Sequence, residues 1–246
     1  MTSLSARLAA ALLLPAVALA AAGPGQRSLA VTANGATEMA VTWASLIAWT
    51  KESTANVTWW PSASPQATAS AASWRTQTYS AGFGWTGTLF AATMTGLVPG
   101  AEYSYFVTDA TGNASETASF HAAPAPAADA AVRIGVLADM GTIELMGWDV
   151  AALVIREHKA QAFDAFFISG DLSYATVDPP NNEFQNLWDA WVVQNEPFAS
   201  TAPFMVSTGN HVRPRACRAA LFSRSAPAYA FSPSSRGPRR SRRPAL

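Results

Sequence analysis

The hydrophobic pattern of this 246-residue chain changes period once, and the change falls at an Ala/Pro-rich break. Between about residues 27 and 121 apolar side chains alternate in short runs: Met39-Val41-Trp43, Val57-Trp59 and Tyr103-Tyr105-Val107. A period of two predicts half-buried strands. Asn34-Gly35, Gly82, Gly84, Pro99-Gly100 and Thr111-Gly112-Asn113 mark turns between them, so this stretch is expected to be an antiparallel β-sandwich. Residues 122–131 (AAPAPAADAA) carry no pattern and are expected to be a linker stiffened by its prolines. Beyond it, 132–138 reads as a strand, 148–160 as an amphipathic helix and 163–169 as a continuously apolar strand. A second helix at about 182–194 leads to a third strand at 203–207. That order predicts a βαβ unit with a parallel sheet, which calls for cover on both faces; with about 80 residues between the linker and Val212, a strand edge and apolar faces are expected to stay uncovered.

Composition narrows the class further. Half of the residues are apolar and there is one cysteine, Cys217, which excludes wholesale disorder, collagen and an internally disulfide-bonded scaffold. The formal charge of zero joins two unlike pieces: up to Val212 there are 7 basic against 16 acidic residues, whereas 213–246 holds nine arginines and no acid. At the other end, Arg7 precedes an apolar run from Leu8 to Ala22 with small residues at Ala18, Ala20 and Ala22. Residues 1–22 read as a secretory signal peptide, an uncleaved anchor being the alternative, since the run falls short of the roughly 20 residues that span a bilayer. The mature chain is therefore expected to be secreted or vacuolar with no membrane span. Secretion makes Asn56-Val57-Thr58 and Asn113-Ala114-Ser115 glycosylation candidates at Asn56 and Asn113.

Each expected strand of the second region ends in a small polar cluster: Asp139-Met140-Gly141, Gly170-Asp171-Leu172-Ser173-Tyr174 and Gly209-Asn210-His211. Sites in open α/β sheets form beyond the carboxyl ends of the strands, so the three clusters are expected on one rim. Asp139, Asp171 and Asn210 are hard oxygen donors and Tyr174 can supply a phenolate; two aspartates lie close as anions only with a cation between them. The competing reading is structural: the aspartates cap turns, Tyr174 faces a core and His211 is a surface histidine. His158 closes a helix and is expected to serve its terminus rather than a metal. His121 beside the linker is assigned nothing. Trp43, Trp59, Trp60, Trp74 and Trp85 suit either a carbohydrate platform or a core, and for Trp43 and Trp59 the alternation favours the core.

Taken together, Asp139-Met-Gly, Gly170-Asp171-Leu-Ser-Tyr174 and Gly209-Asn210-His211 resemble the first three blocks of the calcineurin-like metallophosphoesterases, and Tyr174 narrows the resemblance to the purple acid phosphatases. Phe184 to Trp191 and Glu196-Pro197-Phe198-Ala199 resemble that family's connecting segment. Leu97 to Val107 resembles the tyrosine corner of a fibronectin type III-like domain. The resemblance implies a fibronectin III-like β-sandwich followed by an incomplete α/β (αββα-type) metallophosphoesterase domain, at about 132–212. It implies a dinuclear centre in which Asp171 bridges two ions, Asp139 and Tyr174 hold Fe(III), and Asn210 holds Zn, Mn or Fe(II). His211 would face the phosphate as a catalytic group, and the substrate would be a phosphate monoester.

The family pattern continues with an acidic residue where this chain has Val212, and it draws further ligands from later histidines; here the histidines are 121, 158 and 211. Residues 213–246, rich in Arg, Pro, Ser and Ala without periodicity, are expected to be disordered or an out-of-frame product, the chain being truncated or frame-shifted after His211. Arginine without interleaved aromatics gives little reason to expect specific nucleic-acid binding. Weak or absent hydrolysis is expected of the chain itself, and the alternative function is a non-catalytic secreted β-sandwich binding module.

Overall fold

The computed structural model describes residues 23–45, 54–80, 86–127, 129, 131–142, 146–175 and 185–209. The signal-like segment, Trp85, Asn210, His211, Cys217 and the arginine-rich stretch lie outside the described residues. The first eight strands are β1 (Gly25–Val31), β2 (Glu38–Ser45), β3 (Asn56–Pro61), β4 (Ala69–Ala72), β5 (Arg75–Ser80), β6 (Thr86–Thr95), β7 (Glu102–Val107) and β8 (Ala118–His121). They form two four-stranded antiparallel sheets, β1-β2-β6-β5 and β4-β3-β7-β8. The alternating residues are what the sheets bury between them: Met39, Val41 and Trp43 from one, and Val57, Trp59, Tyr103, Tyr105 and Val107 from the other. Trp43 stacks on Phe90 with centroids 5.5 Å apart and donates Nε1–H to the carbonyl of Thr108, so its polar edge is satisfied inside the core.

At the corner before β7 the Tyr103 ring is buried on Phe120, and its hydroxyl accepts the Val98 N–H at 2.9 Å. Packing runs slightly past both limits expected from alternation. Strand β1 begins at Gly25, and Ala122 is buried in the sandwich core with its carbonyl accepting the Gly100 N–H. Trp74, by contrast, is half exposed and belongs to no core.

The second region holds β9 (Ile134–Leu137), α1 (Gly147–Ala160), β10 (Ala165–Ile168), α2 (Gln185–Ala199) and β11 (Phe204–Val206). The strands are parallel in the order β11-β10-β9, with Phe167 opposite both Val136 and Met205. Phe166, Ile168 and Phe204 pack with Ala151 of α1 and with Trp188, Trp191 and Phe198 of α2 into a second core. The opposite face is uncovered, as expected from the few residues that follow the linker: Val136 is 70% exposed, Phe167 45% and Ile134 46%. Both helices serve the same face, which leaves the other to solvent among the described residues.

The two cores meet along β1 and α2. Residues 26 and 27 form a bulge in β1, with Gln26 at φ 57°, and that kink turns both side chains toward the helix. Gln26 N–H donates to Glu196 Oε2 at 2.8 Å and its side-chain amide to Asp189 Oδ1 at 3.1 Å, while Arg27 pairs with Glu196. Nearby, the buried Tyr105 hydroxyl donates to the Ser200 carbonyl at 2.8 Å, and Leu29 bridges Pro203. The sandwich thus holds the end of α2 from which β11 sets out.

Candidate metal-binding rim

Because β9, β10 and β11 run in one direction, the loops that leave their carboxyl ends share an edge of the sheet. Small apolar residues orient these loops. Met140 in the first, and Leu172 and Ala175 in the second, are buried in the core, while Asp139 and Tyr174 beside them keep some exposure at the rim. Backbone bonds hold the loops together: Gly141 N–H donates to the Leu172 carbonyl at 2.8 Å, and Asp139 N–H approaches the Gly170 carbonyl at 3.4 Å.

At the rim the Tyr174 hydroxyl donates to Asp139 Oδ1 at 2.8 Å. Asp139 is exposed, whereas Asp171 is 8% exposed. Partial desolvation, then the bond to Asp139, then the negative charges of Asp139 and Asp171 push the Tyr174 phenol up to about 12. Asp139, Asp171 and Tyr174 all adopt left-handed backbone conformations, with φ 52°, 43° and 51°. Such conformations cost about 1 kcal/mol or more each for side chains with a Cβ, and they concentrate where function needs a particular orientation. The third loop arrives at Gly209, where a Cβ would collide with the Asp171 carboxylate and its backbone nitrogen; Gly170 packs against the same turn at φ 79°. The glycine immediately before Asn210 is therefore in contact with Asp171, while Asn210 and His211 themselves are outside the described residues.

The other two histidines are elsewhere. His158 Nδ1 accepts the Phe163 N–H at 3.0 Å, its Nε2 is 3.1 Å from Thr201 Oγ1, and its ring stacks on Phe163 and meets Phe166 edge-on. With His121 it lines a cleft of about 570 Å3 between the sandwich and the starts of the parallel strands, where Ile134, Ala165 and Pro203 also lie. That is the end opposite the rim, roughly 10 Å away along a four-residue strand. Burial lowers the His158 pKa from its ordinary value.

Two carboxylates and a phenol are hard donors suited to a trivalent cation at one position. The imidazoles that a complete centre of the resembled family draws on are supplied by neither His121 nor His158. Counting only His, Cys, Asp and Glu, no group of three gathers anywhere among the described residues, so the third donor here is the phenol. Reading the sequence did not single out Gln194, whose side-chain amide donates to the Gly141 carbonyl at 3.0 Å. Its signal was available: a glutamine three residues after Trp191 and four before Phe198, on the apolar stripe of α2.

Residues 24–122 match the family model described as Purple acid Phosphatase, N-terminal domain. The sandwich thus matches the N-terminal domain of the purple acid phosphatases. Two Arabidopsis thaliana proteins illustrate the likeness. "Probable inactive purple acid phosphatase 1" is 31% identical over 48% of this chain and 20% of its own length. "Purple acid phosphatase 22" is 38% identical over 32% of this chain and 16% of its own. The chain thus spans about a fifth or less of these relatives. A purple acid phosphatase from yellow lupin (Lupinus luteus) seeds shares the fold over 77% of this chain and 36% of its own, with TM-score 0.63 and 24% identity. The architecture is accordingly a β-sandwich that matches this N-terminal domain, followed by an incomplete α/β domain whose fold the lupin protein shares.

Proposed function

We propose that this chain is a secreted purple acid phosphatase-like protein whose rim holds the first of two metal ions and binds phosphate monoesters. Asp139 and Tyr174 would ligate Fe(III), Asp171 would bridge, and Asn210 would hold Zn, Mn or Fe(II). When bound, such a pair of ions supplies a hydroxide nucleophile and neutralises phosphate oxygens. The observation that carries the reading is the Tyr174–Asp139 bond of 2.8 Å, with these two residues and Asp171 all in left-handed conformations. Within the chain, Asp139 keeps the phenolic oxygen at the rim, Gly209 lets the third loop close onto Asp171, and His211 would face the phosphate to stabilise or protonate the reacting oxygen. With histidines only at 121, 158 and 211, and two of these engaged away from the rim, hydrolysis by this chain is weak or absent.

The test is addition of Fe(III) to the full chain while recording visible absorption, then p-nitrophenyl phosphate turnover near pH 5 with Zn or Mn supplied. A phenolate-to-iron band that disappears in Tyr174→Phe supports the reading, as does any turnover lost in Asp171→Ala. Absence of both metal uptake and turnover would leave the second reading, a non-catalytic secreted sandwich module. That reading draws on a family match confined to the sandwich and on a relative named inactive.

A further inference from the structure

We infer that Gln194 is a positioning residue for the metal-binding rim: from α2 it clamps the Asp139 loop against the Asp171–Tyr174 loop. Gln194 is 2% exposed, and its side-chain amide donates not within its own helix but to the Gly141 carbonyl, two residues after Asp139. The same glycine donates its N–H to Leu172, one residue after Asp171. Gly141 is thereby held through the peptide groups on both its sides, by α2 through its carbonyl and by the second loop through its nitrogen. Asp139 and Gly141 both have positive φ, at 52° and 59°, so this short turn has little intrinsic preference for its shape and depends on outside contacts to keep it. The consequence reaches the rim through covalent geometry. A shift of Gly141 moves Asp139, and the 2.8 Å bond to Tyr174 leaves little room for movement.

The clamp also has a firm base. Two residues further along α2, Glu196 is tied to Gln26 and Arg27 of the sandwich, so the helix segment that carries Gln194 is itself fixed from the other side. A buried amide whose donor reaches a loop carbonyl, rather than filling space, is a specific device. An apolar residue of the same length would pack as well and would leave Gly141 unheld.

The role of Gln194 deepens the proposed metal site and rests on it for its purpose, but not for its test. Full-length Gln194→Met keeps the length and volume of the side chain and removes the donor; Gln194→Glu retains the shape as an acceptor. In metal-free protein, amide hydrogen exchange is expected to rise about tenfold within 139–142 and 170–174 for both variants, with β2, β6 and β7 unchanged. Fe(III) added to the same variants is expected to give the visible band at about tenfold higher iron concentration than in the parent. Exchange at 139–142 equal to the parent's would overturn the inference, and so would a rise spread evenly over the second core. If the parent chain gives no band at all, the metal site falls, while the exchange comparison still decides what Gln194 does.

Discussion

Arg27 Nε lies 2.7 Å from Glu196 Oε1, across the junction between the β-sandwich and the parallel sheet, and both side chains are largely shielded from solvent, at 12% and 18% exposure. The same carboxylate accepts the Gln26 N–H through its other oxygen. Removing either partner leaves the other charge poorly solvated. Glu196→Ala and Arg27→Ala are each expected to lower stability by about 2 kcal/mol, and a double-mutant cycle in urea should return a coupling of about 1 kcal/mol or more. Simple additivity of the two would mean that the pair does not join the domains.

Tyr105 makes the second contact across this junction, its buried hydroxyl donating to the Ser200 carbonyl at 2.8 Å. Tyr105→Phe should cost about 1–2 kcal/mol, because the carbonyl loses its partner in a buried place. Burial raises the Tyr105 pKa above its ordinary 10.0, with Arg27 opposing and Glu196 adding to the rise. A phenol whose folded pKa is raised stabilises the fold fully below its unfolded value and less as pH climbs past it. Stability measured by urea unfolding should therefore fall above pH 10 in the parent and less steeply in Tyr105→Phe.

His158 works at the other end of the pH range. Its Nδ1 accepts the Phe163 N–H, a role that only the unprotonated nitrogen can fill, and burial holds its pKa below the ordinary 6.5. For a depressed pKa of this kind the contribution is complete above 6.5 and declines as pH falls through that value toward the folded pKa. The urea midpoint of the second core should drop between pH 7 and 5, and His158→Gln should flatten that dependence. A parallel dependence in both proteins would assign the acid sensitivity to other groups.

Gly209 has no room for a side chain, since a Cβ there would meet the Asp171 carboxylate. Gly209→Ala is expected to displace the third loop and weaken Fe(III) binding about tenfold or more, while the exchange protection of the sandwich strands stays at the parent level. Unaltered metal affinity would show that the third loop takes no part in shaping the rim.

The uncovered sheet face bears on handling of the protein. Val136, Ile134 and Phe167 are exposed side by side on β9 and β10. Such a patch promotes self-association. Val136→Ser with Phe167→Ser should reduce concentration-dependent light scattering without lowering the free energy of unfolding by more than about 1 kcal/mol, because these side chains contribute little to the core.

Much of this architecture was legible before any coordinates. Alternation at 39–43, 57–59 and 103–107 marked three sandwich strands because burial on one face imposes a period of two on the sequence itself. Parallel direction followed from the alternation of strand and helix, and with it the shared edge of the Asp139 and Asp171 loops; the order β11-β10-β9 came from the structure. The apolar run at 163–169 records what a strand can bury, which is why a parallel sheet calls for cover on both faces. It does not record what is present to bury it.

Sequence alone therefore established the periodicity, the donor types and the order of the loops, since each is written in residues a few positions apart. Tertiary structure decided which distant groups meet: Tyr174 with Asp139, Gly209 with Asp171, Gln194 with Gly141, and the β1 bulge with α2. Those pairings depend on angles between elements and on the few ångströms that separate a hydrogen bond from a gap, and local propensity carries no information about either.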